Sequence, residues 1–168
     1  MAYARYEDED PAMKALTWML LLCATCLVGC AATGKSSLPT VINSENVAKL
    51  QGRQWELKSI TLDGNQIVMD LQANISLAFG ADGKVAGSGS VNRFTGSYSF
   101  SRDGRLTWPG PGFVTTRKAG PPELMEKERT YLEALPKTDG AILSGRLLRL
   151  QNEDGSTALT FSEAGYPE

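Results

Sequence analysis

The dipeptide Asp-Gly occurs five times in this chain, at 63–64, 82–83, 103–104, 139–140 and 154–155. Both residues tolerate the positive φ that a tight primed turn requires, so Asp-Gly between runs of alternating hydrophobicity marks a β-hairpin. The flanking runs do alternate. Trp55 and Leu57 are interleaved with Glu56 and Lys58, Ile75, Leu77 and Phe79 are set every second residue, and Phe94, Gly96, Tyr98 and Phe100 repeat the period. A period of two is the mark of a strand with one buried face. Residues 146–150 and 158–161 add two short segments near the end. At least four of the five dipeptides sit between such strands, and the chain reads as an antiparallel meander.

One segment breaks the rule. Pro121-Pro122-Glu123 opens a stretch in which Leu124, Met125, Tyr131, Leu132 and Leu135 form an apolar stripe at helical spacing. Proline at the start, Glu123 and Glu126 in the first turns and Pro136 at the end delimit a helix. Glu123, Glu126, Glu128 and Glu133 are assigned to its polar face. A sheet with one apolar face and an amphipathic helix must bury them together, or the sheet must curl into a small barrel. The expected fold is mainly β (α+β), a small antiparallel β-barrel-like meander with one packed amphipathic helix.

The 168 residues suit one domain plus a targeting segment. Residues 15–27 carry no charge and follow Met13-Lys14, but they fall short of the ~20 apolar residues of a membrane span. They fit the hydrophobic region of a signal peptide, with Lys14 as its positive flank. The acidic stretch before Met13 suits that role poorly, so translation is expected to begin at Met13. Leu27-Val28-Gly29-Cys30 resembles the bacterial lipoprotein signal box, which implies cleavage between Gly29 and Cys30 and a diacylglyceryl group on the Cys30 sulfur. Two or more acyl chains, at ~0.8 kcal/mol per buried methylene, make a stable anchor. With Ala31 next, sorting to the outer membrane, facing the periplasm, is expected. Residues 1–29 are thus read as signal peptide, 30–47 as a flexible tether, 48–162 as the folded domain and 163–168 as a tail.

The chemistry available to the domain is narrow. There is no histidine, and the three cysteines, Cys23, Cys26 and Cys30, all precede the folded region. That leaves no imidazole base and no thiolate nucleophile there. From position 30 onward 15 acidic residues balance 15 basic ones, so no basic face recommends nucleic acid. No catalytic constellation, metal site or cofactor is expected. Gly87-Ser88-Gly89 could begin a phosphate-cradling loop, but such a loop opens a helix and carries a third glycine. Here Asn92 stands in that place and a second strand follows, so the glycines are read as a bend or bulge where backbone packs closely.

Four stretches occur in a telling order: Gly52-Arg53-Gln54-Trp55-Glu56-Leu57, then residues 79–87 (FGADGKVAG), then Val91-Asn92-Arg93-Phe94-Thr95-Gly96-Ser97-Tyr98, then Thr115-Thr116-Arg117-Lys118-Ala119-Gly120. With the glutamate-rich helix after them, they resemble the META domain of HslJ-type envelope proteins over roughly residues 48–162. The resemblance implies a compact, barrel-like β domain in a bacterial envelope protein, often a lipoprotein, linked to heat shock or antibiotic tolerance and without an established enzymatic activity. The family commonly carries cysteines where this chain has Val91 and Gly120. Their joint loss implies that the two positions are neighbours, with Cα atoms within the ~4.4–6.8 Å of a disulfide.

Two candidate sites remain. Asn92, Arg93, Thr115, Thr116 and Arg117 could form a polar patch for an anionic or peptide-like ligand, or Asn92 could simply cap backbone groups. Trp108 and Phe113 flank a proline–glycine loop and could contact a partner or fold back as a lid. The expectation is a non-catalytic, lipid-anchored binding or interaction module whose partners are the membrane and an envelope protein or small ligand. The alternative is a carrier that holds a small apolar molecule inside the barrel, which needs a cavity of a few hundred Å³.

Overall fold

The computed structural model describes residues 38–165. Met13, the Gly29–Cys30 junction and residues 30–37 of the expected tether lie outside the described residues.

Twelve strands and one α-helix occur among the described residues: β1 (Thr40–Val41), β2 (Gln54–Leu62), β3 (Asn65–Val68), β4 (Ile75–Phe79), β5 (Lys84–Gly89), β6 (Arg93–Ser97), β7 (Ser99–Phe100), β8 (Leu106–Thr107), β9 (Val114–Thr115), α1 (Pro122–Ala134), β10 (Gly140–Ser144), β11 (Leu147–Gln151) and β12 (Thr157–Glu163). Ten strands form one antiparallel sheet in the order β1-β10-β11-β12-β2-β4-β5-β6-β9, with β3 also on β2; β7 and β8 pair separately. The mainly β class with a single helix is as expected.

The sheet does not close into a barrel. After Tyr98 the chain runs from β6 into β7, whose partner is β8 and not the free edge at β1. Two isolated backbone bonds approach that edge, Leu106 N to Asp139 O at 2.7 Å and Ser44 N to Ser101 O at 3.0 Å. Strands of two residues are too short to extend these into a ladder.

Four Asp-Gly pairs lie in hairpin connections, as the pattern predicts. The tightest is Asp63-Gly64, with φ of 49° and 80° and Leu62 paired to Asn65, a two-residue turn with both central residues left-handed. Asp139-Gly140 is not a turn: Asp139 N donates to Gln151 O and Gly140 opens β10.

A bulge shapes the centre. The pairing of β12 with β2 shifts between Thr160 and Phe161, which face Ser59 and Leu57, so one extra residue of β2 lies between their partners. The extra residue switches the inward set from Trp55 and Leu57 to Ile60. The space between sheet and helix is filled by Trp55, Phe79, Phe94, Tyr131 and Phe161 with Ile60, Leu77, Leu135 and Leu148, all nearly or fully buried. Each contributes about 1.5–3 kcal/mol by leaving water.

The folded body begins before the expected end of the tether. Thr40 and Val41 pair with β10, and Ile42 is completely buried with its N–H on Ala141 O. Its partner strand is about a hundred residues away, so no local pattern marks it. At the other end Glu163 belongs to β12 and Ala164 N donates to Gln54 O.

Candidate functional site

Of the residues singled out as a polar patch, the side chains of Asn92 and Thr116 meet, around a buried centre, and Arg93 joins them by its main-chain N–H alone. Asn92 is 4% exposed, in the connection from β5 to β6. Its Oδ1 accepts from Thr116 Oγ1 at 2.8 Å and from Lys118 N at 2.7 Å, and its Nδ2 donates to Lys118 O. The central player was not legible. Glu128, assigned to the polar face of the helix, is 7% exposed and points into the sheet. Its carboxylate accepts from Val91 N at 3.1 Å, Asn92 N at 2.6 Å and Asn92 Nδ2 at 2.8 Å. The missed signal is spacing: Glu128 lies four residues after Leu124 and three before Tyr131, on the stripe itself. The main-chain amides of Val91, Asn92 and Lys118, the Asn92 side chain and the Thr116 hydroxyl are spent on the chain's own groups, so the cluster ties α1, the β5–β6 turn and residues 116–118 into one unit; the buried Ser90 hydroxyl of the same turn has no partner among the described residues. Asn92 caps backbone rather than facing a ligand.

The glycines of the β5–β6 region now have specific reasons. A Cβ on Gly87 would sit 2.0 Å from Ser76 O and 2.8 Å from the Phe94 ring, and one on Gly89 would sit 2.8 Å from Glu128 Cγ. The turn's amides do cradle an anion, supplied by the protein's own helix.

Thr115 pairs with Phe94 in β9; Arg93 and Arg117 are exposed. Among the described residues the Arg93 guanidinium has no hydrogen-bond or ion-pair partner. Trp108 and Phe113 are half-buried and fold back. Their rings meet edge-on at 5.5 Å, Phe113 meets Phe94 at 5.4 Å, and Trp108 Nε1 donates to Thr138 O at 3.0 Å. This is the lid arrangement.

What remains open is the outer face of β4, β5 and β6. Gln54, Ala78, Ala86, Thr95 and Val114 form a register row across five strands, and Glu56, Ser76, Ser88 and Arg93 form the next. Small side chains make this a hollow. A depression of about 500 Å³ lies over Ser76, Ala78, Ser88 and Thr95; others of about 420 and 360 Å³ adjoin it through Gln54, Ala78, Ala86 and Thr95. The charged residues lining the three are Arg53, Lys84 and Arg93, and no acidic side chain among the described residues joins them. Arg53 is engaged: its Nε donates to Glu163 Oε1 at 2.8 Å, and its guanidinium stacks 4.3 Å from the centre of the Trp55 ring. That hydrogen bond holds the Glu163 carboxyl below its usual value. Lys84 Nζ donates to the Ser97 hydroxyl at 3.1 Å.

The model of the META domain family matches residues 48–165. The chain belongs to the META domain family. No curated protein matches it. Two solved structures share the fold: a protein from Burkholderia xenovorans determined by NMR, 24% identical with a TM-score of 0.59 over 76% of this chain and 92% of that one, and a DUF4847 family protein from Bacteroides vulgatus, 14% identical with a TM-score of 0.53 over 69% and 95%.

In this META domain the positions of the absent cysteines are adjacent. A Cβ on Gly120 would lie 3.3 Å from Val91 Cβ, a few tenths short of the ~3.5–4.5 Å usual in disulfides. The neighbourhood implied by the resemblance is present, with the valine filling it. Among the described residues no group of three or more His, Cys, Asp and Glu side chains could hold a metal, and no helix is long and apolar enough to cross a membrane.

Proposed function

We propose that this META protein is a non-catalytic binding module held at the bacterial envelope by acylated Cys30, on the periplasmic face of the outer membrane, with a role in envelope stress or antibiotic tolerance. The observation that carries the binding reading is the division of polar groups. The side chains of Asn92 and Glu128 are satisfied internally, while the hollow over β4–β6 is open and lined by small side chains and cations. A carrier reading would need an enclosed volume, and Trp55, Phe94, Tyr131 and Phe161 occupy the space between sheet and helix.

Two measurements test the proposal. Mass spectrometry of the N-terminal peptide is expected to find diacylglyceryl on Cys30, and an unmodified cysteine would refute the anchor. Photo-cross-linking from position 86 in intact cells is expected to capture a discrete partner that a probe at buried position 57 does not. Identical capture from both positions would refute the binding surface.

A further inference from the structure

The hollow has a geometry that selects an occupant. Lys84 pairs with Ser97 and Arg93 with Ser88 in the β5–β6 ladder. The two cations therefore stand at opposite ends of one strand pair, four residues apart, or roughly 13 Å at the rise of a strand. Ala86 and Thr95 pair between them and both are exposed. Small side chains on that floor let another backbone approach closely.

The charges favour an anion. Nearby carboxylates are occupied or turned to backbone: Glu163 holds Arg53, Glu56 lies 4.0 Å from Lys58 Nζ, and Asp82 Oδ1 accepts from Lys84 N. Lys84 and Arg93 have no acidic partner among the described residues. Among the described residues no exposed aromatic ring lines the floor: Phe79 and Phe94 are buried beneath it. A sugar would lack a stacking platform there, whereas a polypeptide needs none. Carboxylates at positions i and i+4 of a helix are only ~6 Å apart, too close to reach both cations. In an extended segment the same spacing spans ~13 Å with both side chains on one face.

We infer that the outer face of β4–β5–β6 docks an extended acidic segment of a partner protein, with carboxylates four residues apart meeting Lys84 and Arg93 and a small or β-branched residue between them resting on Ala86 and Thr95. This rests on the binding-module reading and names the partner's chemistry.

The test uses the full-length chain in detergent and NMR shift titration with three capped peptides. One contains Glu-Thr-Val-Thr-Glu, one Glu-Glu-Thr-Val-Thr, and one Lys-Thr-Val-Thr-Lys. The first should bind about fivefold more tightly than the second, a gain of the size of one exposed ion pair. Shifts should be confined to β4–β6, and the lysine peptide should not bind. Lys84→Glu with Arg93→Glu should abolish the preference, and Lys84→Gln with Arg93→Gln should halve it or more if the reversal perturbs folding. Equal binding of the two glutamate peptides, shifts elsewhere, or indifference to both double variants overturns the inference. So does polygalacturonate binding with the same dependence on Lys84 and Arg93. A partner cross-linked from position 86 regardless of these variants would sink this inference and leave the binding module standing; the failure of cross-linking itself would count against the module.

Discussion

At the scale of single residues, the unusual feature is a buried carboxylate with no ion-pair partner among the described residues. Glu128 is held by two main-chain amides and one side-chain amide, and hydrogen bonds to a charged group are roughly twice as strong as neutral ones. Removing the acceptor strands the main-chain amides of Val91 and Asn92 and leaves Asn92 Nδ2 with Lys118 O alone. Glu128→Ala is expected to lower the unfolding free energy by about 3 kcal/mol, read from urea denaturation; a loss under 1 kcal/mol would mean the cluster is incidental. Tyr131 is the opposite case. It is fully buried, burial pushes its phenol well above the ordinary value, and its Oη has no partner among the described residues. Tyr131→Phe keeps the ring packing against Phe94 and Phe161 and removes an unmet donor. It should leave stability unchanged or raise it by about 1 kcal/mol. The sequence marked Tyr131 as core from its spacing, yet misassigned Glu128, because a charged residue on an apolar stripe is read by type before position. Only the amides brought over it by the β5–β6 turn make its burial tolerable.

At the scale of elements, two contacts decide how pieces are joined. Val91 and Gly120 bring the β5–β6 turn against the segment leading into α1. Val91→Cys with Gly120→Cys should form a disulfide on oxidation and stabilise the domain by about 3.5 kcal/mol for a loop of this length in the chain-entropy model. Gly120→Ala alone should destabilise, since its Cβ would sit 2.6 Å from a Val91 methyl. Comparing melting temperatures with and without reductant checks both. The second contact is the aromatic lid. Trp108→Ala with Phe113→Ala should cost about 3 kcal/mol, because the Phe113 ring covers Phe94 and Gly96 and the Trp108 ring packs on Phe113. Unchanged stability would return these residues to the surface-contact reading. Sequence left the lid and contact alternatives open, since a loop's aromatics have no period from which to read their direction.

At the scale of the whole molecule, the Arg53–Glu163 pair joins the start of β2 to the end of β12, 110 positions apart in sequence. Glu163 has its carboxyl lowered chiefly by that hydrogen bond. A group whose folded value is depressed adds stability above its unfolded value, ~4.3 for glutamate, and loses it as pH falls through the folded value. Arg53→Met should therefore be less stable than the parent at pH 7, with the difference shrinking below about pH 4. A gap that stays constant down to pH 2.5 would show that Arg53 acts by packing on Trp55 instead.

The sequence alone determined the antiparallel meander, the position of the helix and the family, because turn chemistry and residue periodicity are local and repeat within a few residues. Only the tertiary structure decided that the sheet stays open, that β1 starts before the expected domain boundary, that Glu128 turns inward and that the face of β4–β6 is hollow. The first three depend on which distant segments become neighbours, and contacts across 30 to 110 positions leave no periodic trace in the chain; the hollow needs β2 and β9 set beside the local β4–β6 hairpins to complete its row of small side chains.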